Sequence, residues 1–311
     1  MTRAVTPATG QASTWTATPP LPSAVGEDRD DSQPAVLLVD DDTALHRVSD
    51  AGVVAAIRLP DRPPAWQMGL ERAVLAGEFV QRAEIVDVTP NQLVDWVTAA
   101  SGRLDPTIRH GFAADVRALG QLCATLAGAS RVQVRLAAGL GSDRCGYHVD
   151  TCRPGAPPIG VVKVYCGPPT QYPDPAAVTS VADFWTFLSR RERLVRERAG
   201  ADDAAAAGQE LAALDDAPGF LGHAEPLDVP IGATVAFRLL PIEQHWQPRQ
   251  ALPAWIHRSA MYAQPRLAVT VLAAPGVVSA GLKQRARAVM VRSSTDQSAQ
   301  SFFGDRRGVQ A

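Results

Sequence analysis

Two residues in the stretch Tyr147-His148-Val149-Asp150 have the types and spacing to hold a metal ion. In an extended strand, residues i and i+2 project from the same face, about 6.6 Å apart along the chain. The His148 imidazole and the Asp150 carboxylate can therefore converge on one ion. A third ligand has to come from another strand, and His257 is the best placed. It follows the apolar Pro253-Ala-Trp-Ile and precedes the turn Arg258-Ser259. Two histidines and one carboxylate on one face of a metal suit Fe(II), with further positions left open. Arg266 begins the next apolar run, nine residues past His257. Its guanidinium can hold the far carboxylate of a 2-oxo acid through a bidentate pair while the near end chelates the metal. Ser259 can support the same carboxylate. Tyr165, closing the run that starts at Ile159, is placed with them as a cofactor-binding residue.

These residues need strands to hold them. Arg131-Val-Gln-Val-Arg-Leu-Ala alternates with period two, as a half-buried strand does. Tyr147 to Asp150, Ile159 to Tyr165, Thr234 to Leu239, Trp255 to His257 and Arg266 to Leu272 follow as strands, separated by Pro and Gly turns. Many short antiparallel strands of this kind predict a barrel or jelly roll. Residues 176–215 are rich in Ala, Arg and Glu and read as a helical insertion over one mouth of that barrel.

The part before residue 131 leans helical, after candidate strands at Ala35–Val39 and Val53–Leu59. The spacing of Trp66, Leu70, Ala73, Val74 and Phe79 predicts a helix over 66–82. Asn91 is read as the cap of a second helix. Asp105-Pro106 opens a third, running to about Ala129, with Phe112, Val116, Leu119, Leu122 and Cys123 on its apolar stripe. Residues 1–34 and 276–311, rich in Thr, Pro, Ser, Gln and Arg, lack the apolar area to offset chain entropy and are read as disordered tails. The predicted fold is thus α+β: one domain over 35–275, with a double-stranded β-helix (jelly-roll, cupin-like) core, an N-terminal helical layer and a helical insertion.

Composition excludes several function classes. The net charge is −2 and lysine occurs only at Lys163 and Lys283, so nothing suggests an electrostatic footprint on nucleic acid or an anionic membrane. No apolar run of about 18 residues suggests a span, and the N-terminus lacks the apolar stretch of a secretory signal. A cytoplasmic protein is expected, with Cys123, Cys145, Cys152 and Cys166 as free thiols.

Other motifs are weaker. Leu37-Leu-Val-Asp40-Asp41-Asp42 imitates the start of a response-regulator receiver, with Asp87 as the phospho-acceptor. That fold needs a lysine on a later strand, and none occurs before Lys163. The acidic run is read as a solvated turn. Cys145, His148 and Cys152 do not make a zinc knot, because strand parity turns Cys145 away from His148. His110 reads as a surface residue on a helix. His223 and His245 sit in loops where either could line the pocket or stand in for His257. Trp185, Trp246 and Trp255 read as packing, and Arg190-Arg-Glu-Arg-Leu-Val-Arg-Glu-Arg as a solvated helix face.

The segment Ile256-His-Arg-Ser through Pro265-Arg-Leu-Ala-Val-Thr-Val resembles the C-terminal motif of phytanoyl-type 2-oxoglutarate oxygenases. Gly232-Ala-Thr-Val-Ala-Phe237 is similar to the glycine-led strand before it. The resemblance implies His148, Asp150 and His257 as iron ligands and Arg266 as the 2-oxoglutarate anchor. The core over 37–275 more closely resembles an uncharacterised bacterial domain-of-unknown-function family. Its motifs stand here as Cys145-Gly-Tyr-His148-Val-Asp150, Cys166-Gly-Pro-Pro-Thr170 and His257-Arg-Ser259. That likeness implies a link to zinc homeostasis. The departures lie in a longer insertion after residue 175 and in the tails.

The expectation is an Fe(II)- and 2-oxoglutarate-dependent oxygenase acting on a small molecule or peptide. The first rival is a cupin-like protein that binds zinc without turnover, which does not need Arg266. The second is a metal-free interaction domain, in which His148 is buried with ordinary hydrogen-bond partners.

Overall fold

The structure is a computed structural model that describes residues 34–60, 62–140, 146–200, 204–244, 252–259 and 264–275. Both tails, Cys145, His245 and Trp246 lie outside the described residues. In chain order the strands are β1 (Ala35–Val39), β2 (Val53–Arg58), β3 (Gln81–Val88), β4 (Val132–Leu140), β5 (Thr151–Cys152) and β6 (Ile159–Cys166). They continue with β7 (Thr170–Tyr172), β8 (Leu227–Asp228), β9 (Thr234–Arg238), β10 (Leu240–Pro241), β11 (Arg258–Ser259) and β12 (Pro265–Ala273). The α-helices are α1 (Ala65–Leu75), α2 (Gln92–Ala100), α3 (Pro106–Ala127), α4 (Val181–Gly200) and α5 (Ala204–Asp216).

The fold is mixed α/β around a large sheet of order β1-β2-β9-β6-β12-β4-β3. Every pairing in it is antiparallel except β1 with β2. Side-chain parity gives the sheet two working faces. Val132, Val134 and Leu136 of β4, Val161 and Tyr165 of β6, and Leu267, Val269 and Val271 of β12 join one core with the helices. There α3 lays down Phe112, Val116, Leu119 and Cys123, all nearly or fully buried at helical spacing. Val162 of β6, Val235 and Phe237 of β9 and Leu272 of β12 point the other way, into a second core with Cys152, Tyr172 and Trp255.

That second face is covered by two short sheets, β10-β5 and β11-β7-β8. An antiparallel bridge between His148 and His257 links the segments that carry them. The expected strands at Tyr147–Asp150 and Trp255–His257 are therefore shorter than read, reduced to that bridge plus β5 and β11.

Local chemistry explains the helix limits. Asp105 caps α3 by accepting from Thr107 N at 2.8 Å, with Pro106 next, and Gly128 ends it at φ 58°. Asn91 precedes α2 but its side chain makes no capping bond; Gln92 Oε1 instead accepts from Thr89 N at 2.9 Å. The helix expected to run to Arg82 stops at Leu75. Gly77 takes φ 73°, and the chain turns back as β3 to pair with β4.

Residues 176–215 carry α4 and most of α5, and apolar residues of this region pack on the strand segments. Phe184, Trp185, Phe187, Leu188 and Phe220 meet Tyr147, Val149, Ala254 and Ile256 in a third core. These strand residues alternate with His148, Asp150 and His257, so the insertion covers the side opposite the candidate ligands. No helix among the described residues is long and apolar enough to cross a membrane.

Candidate metal centre

His148 and His257 face each other because their backbones are zipped together. His148 N donates to His257 O at 2.9 Å, and His257 N donates to His148 O at 3.0 Å. Asp150, two residues on from His148, stays on the same side, as strand parity requires. Its own backbone is fixed by Leu240 N, which donates to Asp150 O at 2.9 Å.

The three side chains converge. His148 Nε2 lies 3.8 Å from Asp150 Oδ1, and His257 Nε2 lies 3.6 Å from Asp150 Oδ2. One ligand atom from each lies within 4.8 Å of the others. Among the described residues this is the group of histidine, cysteine and acidic side chains able to hold a metal ion. The spacing is close to that of atoms each about 2 Å from a common ion.

The imidazoles are set as ligands. His148 Nδ1 contacts Gly146 O at 2.7 Å, and His257 Nδ1 contacts Trp255 O at 3.1 Å. A carbonyl only accepts, so each Nδ1 donates to it, and each Nε2 is left facing Asp150. Burial, and then the nearby His257 charge, push the His148 pKa down to about 4. The imidazole is therefore neutral, as metal binding needs. Burial works to raise the Asp150 pKa, but its bond to His257 and the charges of both imidazoles hold it below the usual carboxylate range. Trp255 stacks on the His257 ring at 4.4 Å and Phe237 packs at 5.5 Å, so one wall beside His257 is apolar.

Beyond His257, Arg266 is gripped on three sides. Its Nε donates to Pro168 O at 2.9 Å, one Nη to Ser259 Oγ at 2.8 Å and the other to Thr170 Oγ1 at 2.8 Å. Gly167, at φ 82°, makes the grip possible, since a Cβ there would sit 2.7 Å from Arg266 Cα. The turn Cys166-Gly-Pro-Pro-Thr170 thus acts as a cradle for the guanidinium. The sequence of that turn does not by itself mark Thr170 or the Pro168 carbonyl as partners of Arg266. Only the strand pairing that brings β7 beside β11 reveals them.

The structure brings His148, Asp150 and His257 together, and Ser259 with Arg266. It does not bring Tyr165 to either group, which corrects the expectation for that residue. Tyr165 shares the parity of Val161 and Lys163, so it points to the helical side. There its hydroxyl donates to Asp115 Oδ2 at 2.6 Å and its ring packs on Phe112. Lys163 completes that cluster, 2.9 Å from the same oxygen. His46, His110 and His223 are exposed and apart from the three candidate ligands. Cys123, Cys152 and Cys166 are buried free thiols, each pushed by burial up to about 12.

A family model described as "Protein of unknown function (DUF1826)" matches residues 39–208, more than half of the chain. The chain belongs to this family. The match takes in the His148-Val149-Asp150 segment and the Cys166-to-Thr170 cradle of the DUF1826 chain; His257 and Arg266 lie beyond it. No curated protein sequence matches the chain. Among solved structures, it is similar to a dioxygenase for auxin oxidation from rice, at 16% identity and a TM-score of 0.40, over 85% of this chain and 96% of that one. It is similar to dioxygenase for auxin oxidation 1 from Arabidopsis thaliana in complex with 2-oxoglutarate, at 8% identity and a TM-score of 0.42, over 78% and 93%. It is also similar to the Kdo hydroxylase KdoO, a non-heme Fe(II) dioxygenase, at 12% identity and a TM-score of 0.33, over 77% and 89%.

Proposed function

We propose that this DUF1826 chain is an Fe(II)- and 2-oxoglutarate-dependent oxygenase on a double-stranded β-helix, acting on a small molecule or peptide. The arrangement of its later strands supports that fold. From β4 to β12 the chain passes between the large sheet (β4, β6, β9, β12) and the short sheets (β5, β7, β8, β11). Jelly rolls of this kind house ligands between their sheets.

The observation that carries the reading is the offset between two groups. His257 belongs to the candidate metal group, and Ser259, two residues on, touches the Arg266 guanidinium. One strand step of about 6.6 Å separates the two positions. A five-carbon 2-oxo diacid fits that separation, with its keto-acid end at the metal and its far carboxylate on Arg266.

Bound Fe(II), with the 2-oxo acid and O₂, would supply oxidative decarboxylation coupled to oxidation of a substrate C–H bond. The residues supply binding and placement. His148, Asp150 and His257 would hold the ion by one face. Arg266 would take the carboxylate through its fork, already oriented by Ser259, Thr170 and Pro168 O. Trp255 and Phe237 keep water from one side of His257.

The test is anaerobic titration of the protein with Fe(II) and 2-oxoglutarate, following the weak visible charge-transfer band. The band is expected for the native chain and lost in His257→Ala and Arg266→Ala. Absence of the band together with tightly bound zinc would replace the oxygenase with a metal-binding protein. The same ligand set binds zinc more strongly than Fe(II).

A further inference from the structure

Behind the ligand segments lies a pair that the candidate metal site does not by itself require. Arg191 of α4 and Asp215 of α5 make a two-pronged contact, Nε to Oδ1 at 2.7 Å and Nη2 to Oδ2 at 3.0 Å. Their side chains are 8% and 2% exposed. Leu188 of α4 and Leu214 of α5 belong to or pack against the third core, and an apolar pair of similar volume often replaces a buried ion pair without loss of stability.

The pair touches both segments that carry the histidines. Gly146 lies directly on it. A Cβ at that position would stand 2.5 Å from Arg191 Cζ and 2.5 Å from Asp215 Oδ1, so only glycine admits the contact. The Gly146 carbonyl accepts the Nδ1 proton of His148. On the other segment, Arg258 follows His257 and donates from Nη1 to Asp215 O at 2.8 Å. The Arg258 guanidinium also covers the ring of Tyr147, the residue before His148, at 4.5 Å.

We propose that Arg191 and Asp215 are positioning residues for the metal site. Pressed against Gly146, they fix the carbonyl that sets the tautomer and direction of His148. Through Asp215 O and Arg258 they hold the His257 segment in register with it. The helical insertion is thus a brace for the ligands. The proposal rests on the metal-site reading above.

The experiment measures Co(II) binding, by affinity and by its ligand-field spectrum, alongside thermal unfolding. The double variant Arg191→Met/Asp215→Leu replaces the pair with apolar volume. It is expected to unfold near the native temperature yet bind Co(II) about 10- to 100-fold more weakly, with an altered spectrum, as loss of support behind a metal ligand does. Native affinity and spectrum in the folded double variant would overturn the proposal while leaving the metal site standing. Failure of the native chain to bind Co(II) would instead remove the metal reading, and the proposal with it. If the double variant does not fold, Arg191→Lys decides. It keeps the charge and loses the fork, and unchanged Co(II) affinity there overturns the proposal.

Discussion

Arg266 donates to Ser259 Oγ at 2.8 Å, and Ser259 stands two residues from His257 on the same strand segment. The candidate anion anchor is therefore tied to a candidate metal ligand by one side-chain bond and one strand step. The second Nη bond, to Thr170 Oγ1, adds the neighbouring strand β7. Arg266→Ala is expected to weaken 2-oxoglutarate binding at least 100-fold while leaving Co(II) binding nearly unchanged. Thr170→Val removes one orienting bond to a charged group and should cost about tenfold. Titration calorimetry with 2-oxoglutarate on the Co(II)-loaded protein separates the two. Equal affinity in Arg266→Ala and native protein would remove the anchor role.

Gly167 holds the cradle's backbone in a conformation that side chains rarely adopt, against Pro265 O and Arg266 Cα. Gly167→Ala has to move the start of β12 or the turn. The expected loss is about 1–3 kcal/mol of stability together with weaker 2-oxoglutarate binding. Urea unfolding measures the first and calorimetry the second. A variant as stable as native, with native affinity, would show that the close approach is not required.

Stability should depend on pH through His148. Burial, then the His257 charge, lowers its folded pKa from an ordinary 6.5 to about 4. Between those values the unfolded chain binds a proton that the folded chain refuses, so stability rises with pH across this window. Metal-free protein should thus lose stability, by up to a few kcal/mol, as pH falls from about 6.5 to about 4. Asp150, held below the usual carboxylate range, acts in the same direction at lower pH. Urea midpoints at pH 7.5, 6 and 5 measure the trend, and His148→Gln should flatten it. A midpoint independent of pH in the native chain would contradict a buried neutral imidazole.

The metal group was legible because its logic is local. His148 and Asp150 need only strand parity, and His257 with Arg266 needs only two apolar runs and a turn between them. The Arg191–Asp215 pair was not legible. It joins two helices of a hairpin, and a helix dense in arginine and glutamate reads as solvated along its whole length. Strand β3 was hidden because Phe79 continues the helical spacing of α1, and only Gly77 at φ 73° breaks it. The strand order of the large sheet likewise depends on pairings, such as Val161 with Val271, between residues far apart in the chain.

Tyr165 shows the limit of parity alone. Alternation along β6 separates Val161, Lys163 and Tyr165 from Val162 and Val164, but does not say which set faces the ligands. The answer comes from Asp115 on α3, which accepts from the Tyr165 hydroxyl at 2.6 Å and pairs with Lys163 at 2.9 Å. Tyr165→Phe should therefore leave 2-oxoglutarate and Co(II) affinities within twofold of native. It removes one hydrogen bond to a carboxylate that keeps Lys163 as a partner, so the expected cost is about 1–2 kcal/mol of stability. Asp115→Asn should weaken both contacts and cost more. A Tyr165→Phe protein of native stability with 2-oxoglutarate affinity lowered tenfold would place the hydroxyl at the cofactor after all, on the opposite face of the sheet from its position here.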